Sequence, residues 1–267
     1  MRIKVKTLLV TGAVLAAAGL TATTAVFVSG SDEGPRPVSA AEAQRMAVTR
    51  FRMYRASPSA VTVRVTTSAG TTVIRAVVDH RRHRAVGAYE AGGEAARGLL
   101  AWDMSGVAVA RGGAAGAVRP GESRRPAPGA EASVPAVLRS VRAVPAGEWT
   151  RRGFAAGPLD AGLRLVLGLA ADRPDNAQLL AQSGPSRLRG DRIDGRALDV
   201  FSGPRPRPQG SARPAGRSPL AYWIDADGDL RRVTATLGTG RTVTVDVTAG
   251  HVTTGKLPDG PWKPRRR

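Results

Sequence analysis

The chain has no cysteine in 267 residues. That absence removes disulfides, thiolate metal sites, cysteine nucleophiles and a lipid-modified N-terminal cysteine from consideration. Histidine is scarce as well, at three residues, so a nucleophile–base pair has few members to draw on, and there is no Gly-x-Ser-x-Gly elbow. Aromatic residues make up only 4%, which leaves Val and Leu to fill the core. Nothing in this inventory marks an enzyme, and no cofactor or metal is expected.

What is abundant is arginine. Lys and Arg number 40 against 21 Asp and Glu, for a formal net charge of +19, yet lysine occurs only at Lys4, Lys6, Lys256 and Lys263. This bias, with abundant Ala, Gly and Pro, looks like the coding of a high-GC genome. A field of this sign attracts polyanions such as phosphate-rich wall polymers or anionic lipid headgroups. The arginines are scattered along the chain, which reads as a diffuse solvated surface, and no nucleic-acid motif accompanies them, so no nucleic-acid partner is expected.

Between Thr7 and Ser31 there is no charged residue. The run Leu8 to Val28 has about the ~20 residues that cross a bilayer as a helix. Arg2, Lys4 and Lys6 precede it and Asp32 and Glu33 follow it, so the positive-inside rule keeps the N-terminus in the cytoplasm and sends the rest outside. Residues 1–29 are thus predicted to be a single-pass membrane anchor, and residues 30–38, polar and Pro-containing, a stalk. Val38-Ser39-Ala40 and Thr23-Thr24-Ala25 both satisfy a small-residue cleavage rule, and cutting there would make the protein secreted. The apolar run is longer than a signal peptide requires, which favours the retained anchor.

Residues 39–250 read as an extracytoplasmic α+β domain. Ser39 with Glu42 is a capping-box pair, and Ala43, Met46, Ala47, Phe51 and Tyr54 then recur on one helical face, predicting a helix over 40–54. Alternating or β-branched runs follow at 61–67, 72–79, 84–90 and 98–110, an antiparallel meander. Residues 112–135, rich in Gly, Ala, Pro and Arg, read as a loop. A strand near 149–154 precedes helices marked by Leu159, Leu163, Val166, Leu167 and Ala170, and by Leu179 and Leu180. Strands return at 188–201, 220–225, 230–237 and 242–248, with a second loop at 203–217 and a basic tail at 251–267. Val243, Val245 and Val247 oppose Thr242, Thr244 and Asp246, and Val233 and Ala235 oppose Arg232 and Thr234, so one sheet face is dry and the other wet. The order implies one curved antiparallel sheet over a few helices, preceded by the transmembrane helix.

Several motifs resolve to ordinary roles. Gly250-His251-Val252-Thr253-Thr254-Gly255-Lys256 has phosphate-loop spacing, but Leu257 replaces the Ser/Thr and prolines exclude the following helix. Asp225, Asp227 and Asp229 have the spacing of calcium ligands, but Thr236 stands where a bidentate Glu belongs, so a hairpin turn is the reading. Asp79, His80 and His83 lie among arginines that would repel a cation, and read as a solvated strand connection. The carboxylate pairs Asp172/Asp175 and Asp191/Asp194 read as caps or surface ion pairs.

The first helix leading into Val61 to Thr67, and the late hairpin Tyr222-Trp223-Ile224-Asp225-Ala226-Asp227-Gly228-Asp229-Leu230-Arg231-Arg232-Val233, resemble the LolA/LppX-like lipoprotein-carrier fold. Asp172-Arg173-Pro174-Asp175-Asn176-Ala177-Gln178-Leu179-Leu180 is similar to uncharacterised exported proteins of high-GC Gram-positive bacteria. The resemblance spans about 40–248 and implies a half-open β-barrel whose helices close its mouth; the chain departs from the lipoprotein members in lacking the lipobox cysteine. Together with the one-sided strands it implies a membrane-anchored binding protein that shelters a lipid or other hydrophobic ligand. Val63, Val65, Ile74, Trp102, Tyr222, Val233, Val243 and Val245 are the candidate cavity residues. Alternation cannot separate a cavity wall from a core face. The same sequence therefore also fits an envelope sensor or interaction subunit with a filled core, contacting anionic wall polymer or a partner protein.

Overall fold

The computed structural model describes residues 34–92, 97–111, 134–205, 216–248 and 257–258. The predicted anchor, most of both predicted loops, the phosphate-loop match up to its lysine and nearly all of the predicted tail lie outside the described residues. Among the described residues no helix is long and apolar enough to cross a membrane.

A two-residue strand β1 (Arg36–Pro37) leads into helix α1 (Ala40–Arg55). The capping box forms: Ser39 Oγ accepts from Glu42 N at 3.3 Å, and Glu42 Oε2 accepts from Ser39 N at 2.8 Å, satisfying N–H groups that helix geometry leaves without partners. A meander follows through β2 (Ser59–Thr67), β3 (Gly70–Asp79), β4 (Arg84–Ala91), β5 (Arg97–Asp103) and β6 (Gly106–Arg111). Helix α2 (Val134–Ala143) and a 3-10 turn (Ala146–Glu148) precede β7 (Thr150–Arg152). Helices α3 (Pro158–Gly168) and α4 (Ala177–Gln182) carry the chain to a second meander, β8 (Ser186–Ile193), β9 (Arg196–Ser202), β10 (Leu220–Ile224), β11 (Leu230–Thr236) and β12 (Thr242–Val247).

Four features differ from the sequence reading. The single strands expected at 98–110 and 188–201 are each a hairpin. The first turns at Met104-Ser105, where Asp103 Oδ1 accepts from Ser105 N at 2.8 Å. The second turns at Asp194-Gly195, whose φ angles of 50° and 76° are those that two-residue hairpins require. Helix α2 is an addition to the expected elements: it begins within the span read as a loop. Residues 36–38 do not form a free stalk, because β1 pairs with β8 and Val38 packs on the core. Leu257, in the predicted tail, is buried beside α2.

All twelve strands belong to one antiparallel sheet in the order β1-β8-β9-β10-β11-β12-β2-β3-β4-β5-β6-β7. The two meanders therefore meet at β12 and β2, where Val245 faces Val63 and Val243 faces Val65 across the register. The sheet is open, with β1 and β7 at its edges. Laid flat, twelve strands at ~4.8 Å spacing would span roughly 50 Å. Yet one core cluster gathers side chains from β2 to β6, from β9 to β12, and from α1 and α3. The sheet is accordingly curved around these helices.

The other face is wet only over some of its strands. Over β11, β12 and β2 it carries Arg232, Thr244, Asp246 and Arg64, as the alternation implies. Over β3 to β6 it is dry, because Val77, Val86, Leu99, Ala101, Ala108 and Ala110 pack against Val137, Leu138 and Val141 of α2.

Candidate functional site

Within the curve, between α1, the end of α3, α4 and strands β10 and β11, lies a cavity of about 570 Å³, a size typical of small-molecule sites. Its apolar wall includes Met46, Leu165, Leu169, Leu180, Leu220 and Ile224. Helix α4 roofs it, packing on α1 and touching the core through the partly buried Leu180. It has no buried residue, and Leu179 is 64% exposed at the opening. The roof is hung from its ends. Asp175 N donates to Ala47 O at 2.9 Å, and Arg50 Nη1 pairs with Asp175 Oδ1 at 3.3 Å. At the far end Arg205 N donates to Ser183 O at 3.2 Å.

The polar lining groups mostly serve the local backbone. Thr49 Oγ1 donates to Arg45 O at 2.9 Å, Asn176 Oδ1 accepts from Leu179 N at 3.0 Å as the α4 cap, and Ser183 Oγ donates to Leu180 O at 2.6 Å. What they leave facing the cavity is hydrocarbon. The exception is one polar end, where Arg50, Asp175 and Tyr222 converge. Burial pushes the Tyr222 hydroxyl above its ordinary pKa, with Arg50 pulling the other way. It stays neutral at physiological pH and has no hydrogen-bond partner among the described residues. A neighbouring hollow of about 230 Å³ shares Arg50 and Gly168 with the first and adds Phe154 and Met104, the latter 69% exposed. An exposed large apolar side chain thus lines each hollow.

Of the eight residues singled out from sequence, Tyr222 lines the cavity. Val63, Val65, Ile74, Trp102, Val233, Val243 and Val245 lie in the core of the curved sheet, which also holds Leu163, Val166 and Leu167 of α3. Trp102 Nε1 donates to Leu163 O at 3.1 Å, which ties that helix to β5. The lining residues that sequence reasoning did not select include Met46, Leu165 and Leu180 on helices, Leu169 just after α3, and Leu220, Ile224 and Leu230 on strands β10 and β11. The amphipathic stripes containing them are visible in the sequence, but which side chains meet a void depends on how far α4 stands off the sheet.

His80 departs from its expected solvated setting. It is fully buried, with Nε2 3.1 Å from Ser59 Oγ and Nδ1 without a partner. Burial lowers its pKa to about 4, so the neutral ring is the stable form. Asp225 belongs to a hairpin turn, its Oδ1 accepting from Asp227 N at 3.1 Å and Asp229 N at 2.9 Å, with Arg196 and Arg231 on Oδ2. Asp191 accepts from Trp223 Nε1 at 2.7 Å.

No protein-family model matches the chain, and no curated protein matches it. Among solved structures it is similar to the crystal structure of a LolA superfamily protein from Nitrosomonas europaea. The identity is 13% over 79% of this chain and 92% of that one, with a TM-score of 0.27. At that score the two overlap only loosely, and the reading of this cavity rests on its own residues.

Proposed function

We propose that the protein is a membrane-anchored extracytoplasmic binding protein that shelters a hydrophobic ligand, such as an acyl chain, beneath α4. The observation that carries this reading is the cavity of about 570 Å³, apolar along its walls and polar at one end. Burying each methylene contributes about 0.8 kcal/mol, so a chain segment that fills a fraction of the space binds usefully. Arg50 and the Tyr222 hydroxyl supply the few polar groups that orient a guest in such sites. The anchor is the apolar N-terminal run, which puts this domain on the outer side of the membrane.

The test uses the full chain, purified gently in detergent, with native mass spectrometry, solvent extraction and lipid analysis, followed by titration with a fluorescent fatty acid. A reproducible bound lipid and saturable probe binding are expected. Gly168→Phe adds a ring at a residue that lines this cavity and the neighbouring hollow. A Cβ at this position meets nothing within 4 Å, so the side chain starts without a backbone clash, and probe affinity is expected to fall at least tenfold. An apo mass together with non-saturable probe binding would overturn the reading.

A further inference from the structure

On the outer face of the sheet lies a third hollow, of about 590 Å³, built from the opposite chemistry to the cavity. Its lining includes Arg64 of β2, Arg196 of β9, Arg231 and Arg232 of β11, Asp246 of β12 and Asp194 of the β8–β9 turn. The strand register brings these together. Arg232 faces Asp246 across β11 and β12, while Arg64 lies diagonally across β12 and β2 from Asp246.

Each guanidinium has five N–H donors, and few of them are spent. Asp246 receives one bond from Arg64 Nη1 and one, at 2.5 Å, from Arg232 Nε. Asp225, itself fixed by two backbone N–H groups, receives Arg196 Nη1 at 3.0 Å and Arg231 Nε and Nη2 at 3.1 and 2.8 Å. Asp225, Asp246 and, 3.6 Å from Arg231 Nη2, Asp229 therefore serve the four guanidinium groups. They hold the arginine heads in place without exhausting their N–H donors; counting the exposed Asp194 at the turn and Arg52, which shares Asp229, five arginines stand against four carboxylates. A planar fork with N–H groups to spare matches a tetrahedral phosphate oxyanion, which accepts paired N–H bonds.

We propose that this groove binds phosphate groups, whether of a dissolved polyphosphate or of a glycerophosphate headgroup, with Arg64, Arg196 and Arg232 as the principal donors. The site is separate from the hydrophobic cavity, and its occupancy does not depend on that cavity being filled.

The experiment is calorimetric titration of the full chain in uncharged detergent, at low salt, with two probes. Inorganic tripolyphosphate stands for a dissolved phosphate, and glycerophosphoglycerol for a deacylated headgroup. Saturable binding of at least one probe is expected, and the more tightly bound one identifies the source. Arg196→Ala/Arg232→Ala should weaken that binding at least tenfold. Arg139→Ala/Arg173→Ala removes the same charge elsewhere and should change it less than twofold. Arg196→Lys/Arg232→Lys, which keeps the charge but not the fork, should fall in between and guards against misfolding of the alanine variant. Equal losses in the two alanine variants would show a diffuse field instead of a site and sink the proposal, as would failure of both probes to bind the unaltered chain.

Discussion

Strands β3 to β6 and strands β9 to β12 belong to one sheet but live in different surroundings. The first group is covered on both faces, by the shared core within the curve and by α2 with Leu257 outside it. The second has the cavity against β10 and the start of β11 on its inner side and, around β11 and β12, an outer face of arginine–aspartate pairs. A segment buried on both faces opens at a higher free energy than one roofed by a helix that has no fully buried residue. The half that lines the cavity is thus supported by a half buried on both faces.

That contrast is open to attack at several points. Trp102→Ala strikes the doubly covered half at a residue 1% exposed that also holds α3 through its indole N–H. A loss of about 4 kcal/mol in urea unfolding is expected, and a loss under about 1 kcal/mol would mean that this half is not the support.

The next largest effect is on pH. His80 follows the last residue of β3, and its pKa falls from 6.5 to about 4 on folding. Below pH 6.5 the unfolded chain takes up a proton that the native ring refuses. Its contribution to stability is therefore whole above 6.5, declines as pH drops, and is gone below about 4, a loss of about 3 kcal/mol. Glu42, whose bonds to Arg36 hold its pKa at about 2, gives way in a lower window, from 4.5 downward. A stability profile of His80→Gln should lose the upper decline and keep the lower one.

The smallest effect belongs to the roof. Leu180 is only half-buried and already faces a void, so Leu180→Ala should cost less than about 1 kcal/mol in unfolding while weakening fatty-acid binding. A cost like that of Trp102 would place α4 in the core and erase the contrast between the halves.

Much of this fold can be read from particular residues. The Ser39/Glu42 capping box marks the start of α1, and the alternation of Val243 and Val245 with Thr244 and Asp246 assigns the inner and outer faces of β12. Two hairpins read as single strands although their turns are legible: Asp194-Gly195 is a strong turn signal, and Asp103 to Gly106 a weaker one whose Asx turn depends on one side chain. Val134, Val137, Leu138 and Val141 carry the 3- and 4-residue spacing of α2, obscured by the Gly, Ala, Pro and Arg run before them. The cavity is not legible, for a physical reason. Val245, packed against neighbours, and Leu220, facing a void, are both apolar residues of inward-facing strand positions, and only the stand-off of α4 separates their fates.

The junction of β1 with β8 also determines how the domain carries load. Tension applied through the N-terminal segment enters the domain at a strand of two residues. There Arg36 grips Glu42 with two bonds of 2.8 Å, and the same carboxylate caps α1 through Ser39 N. This is a clasp at the rim of the sheet, whose few bonds break in succession under a peeling force. Such a force is spent on the clasp and the first turn of α1 before it reaches β12 and β2, where the two meanders are joined.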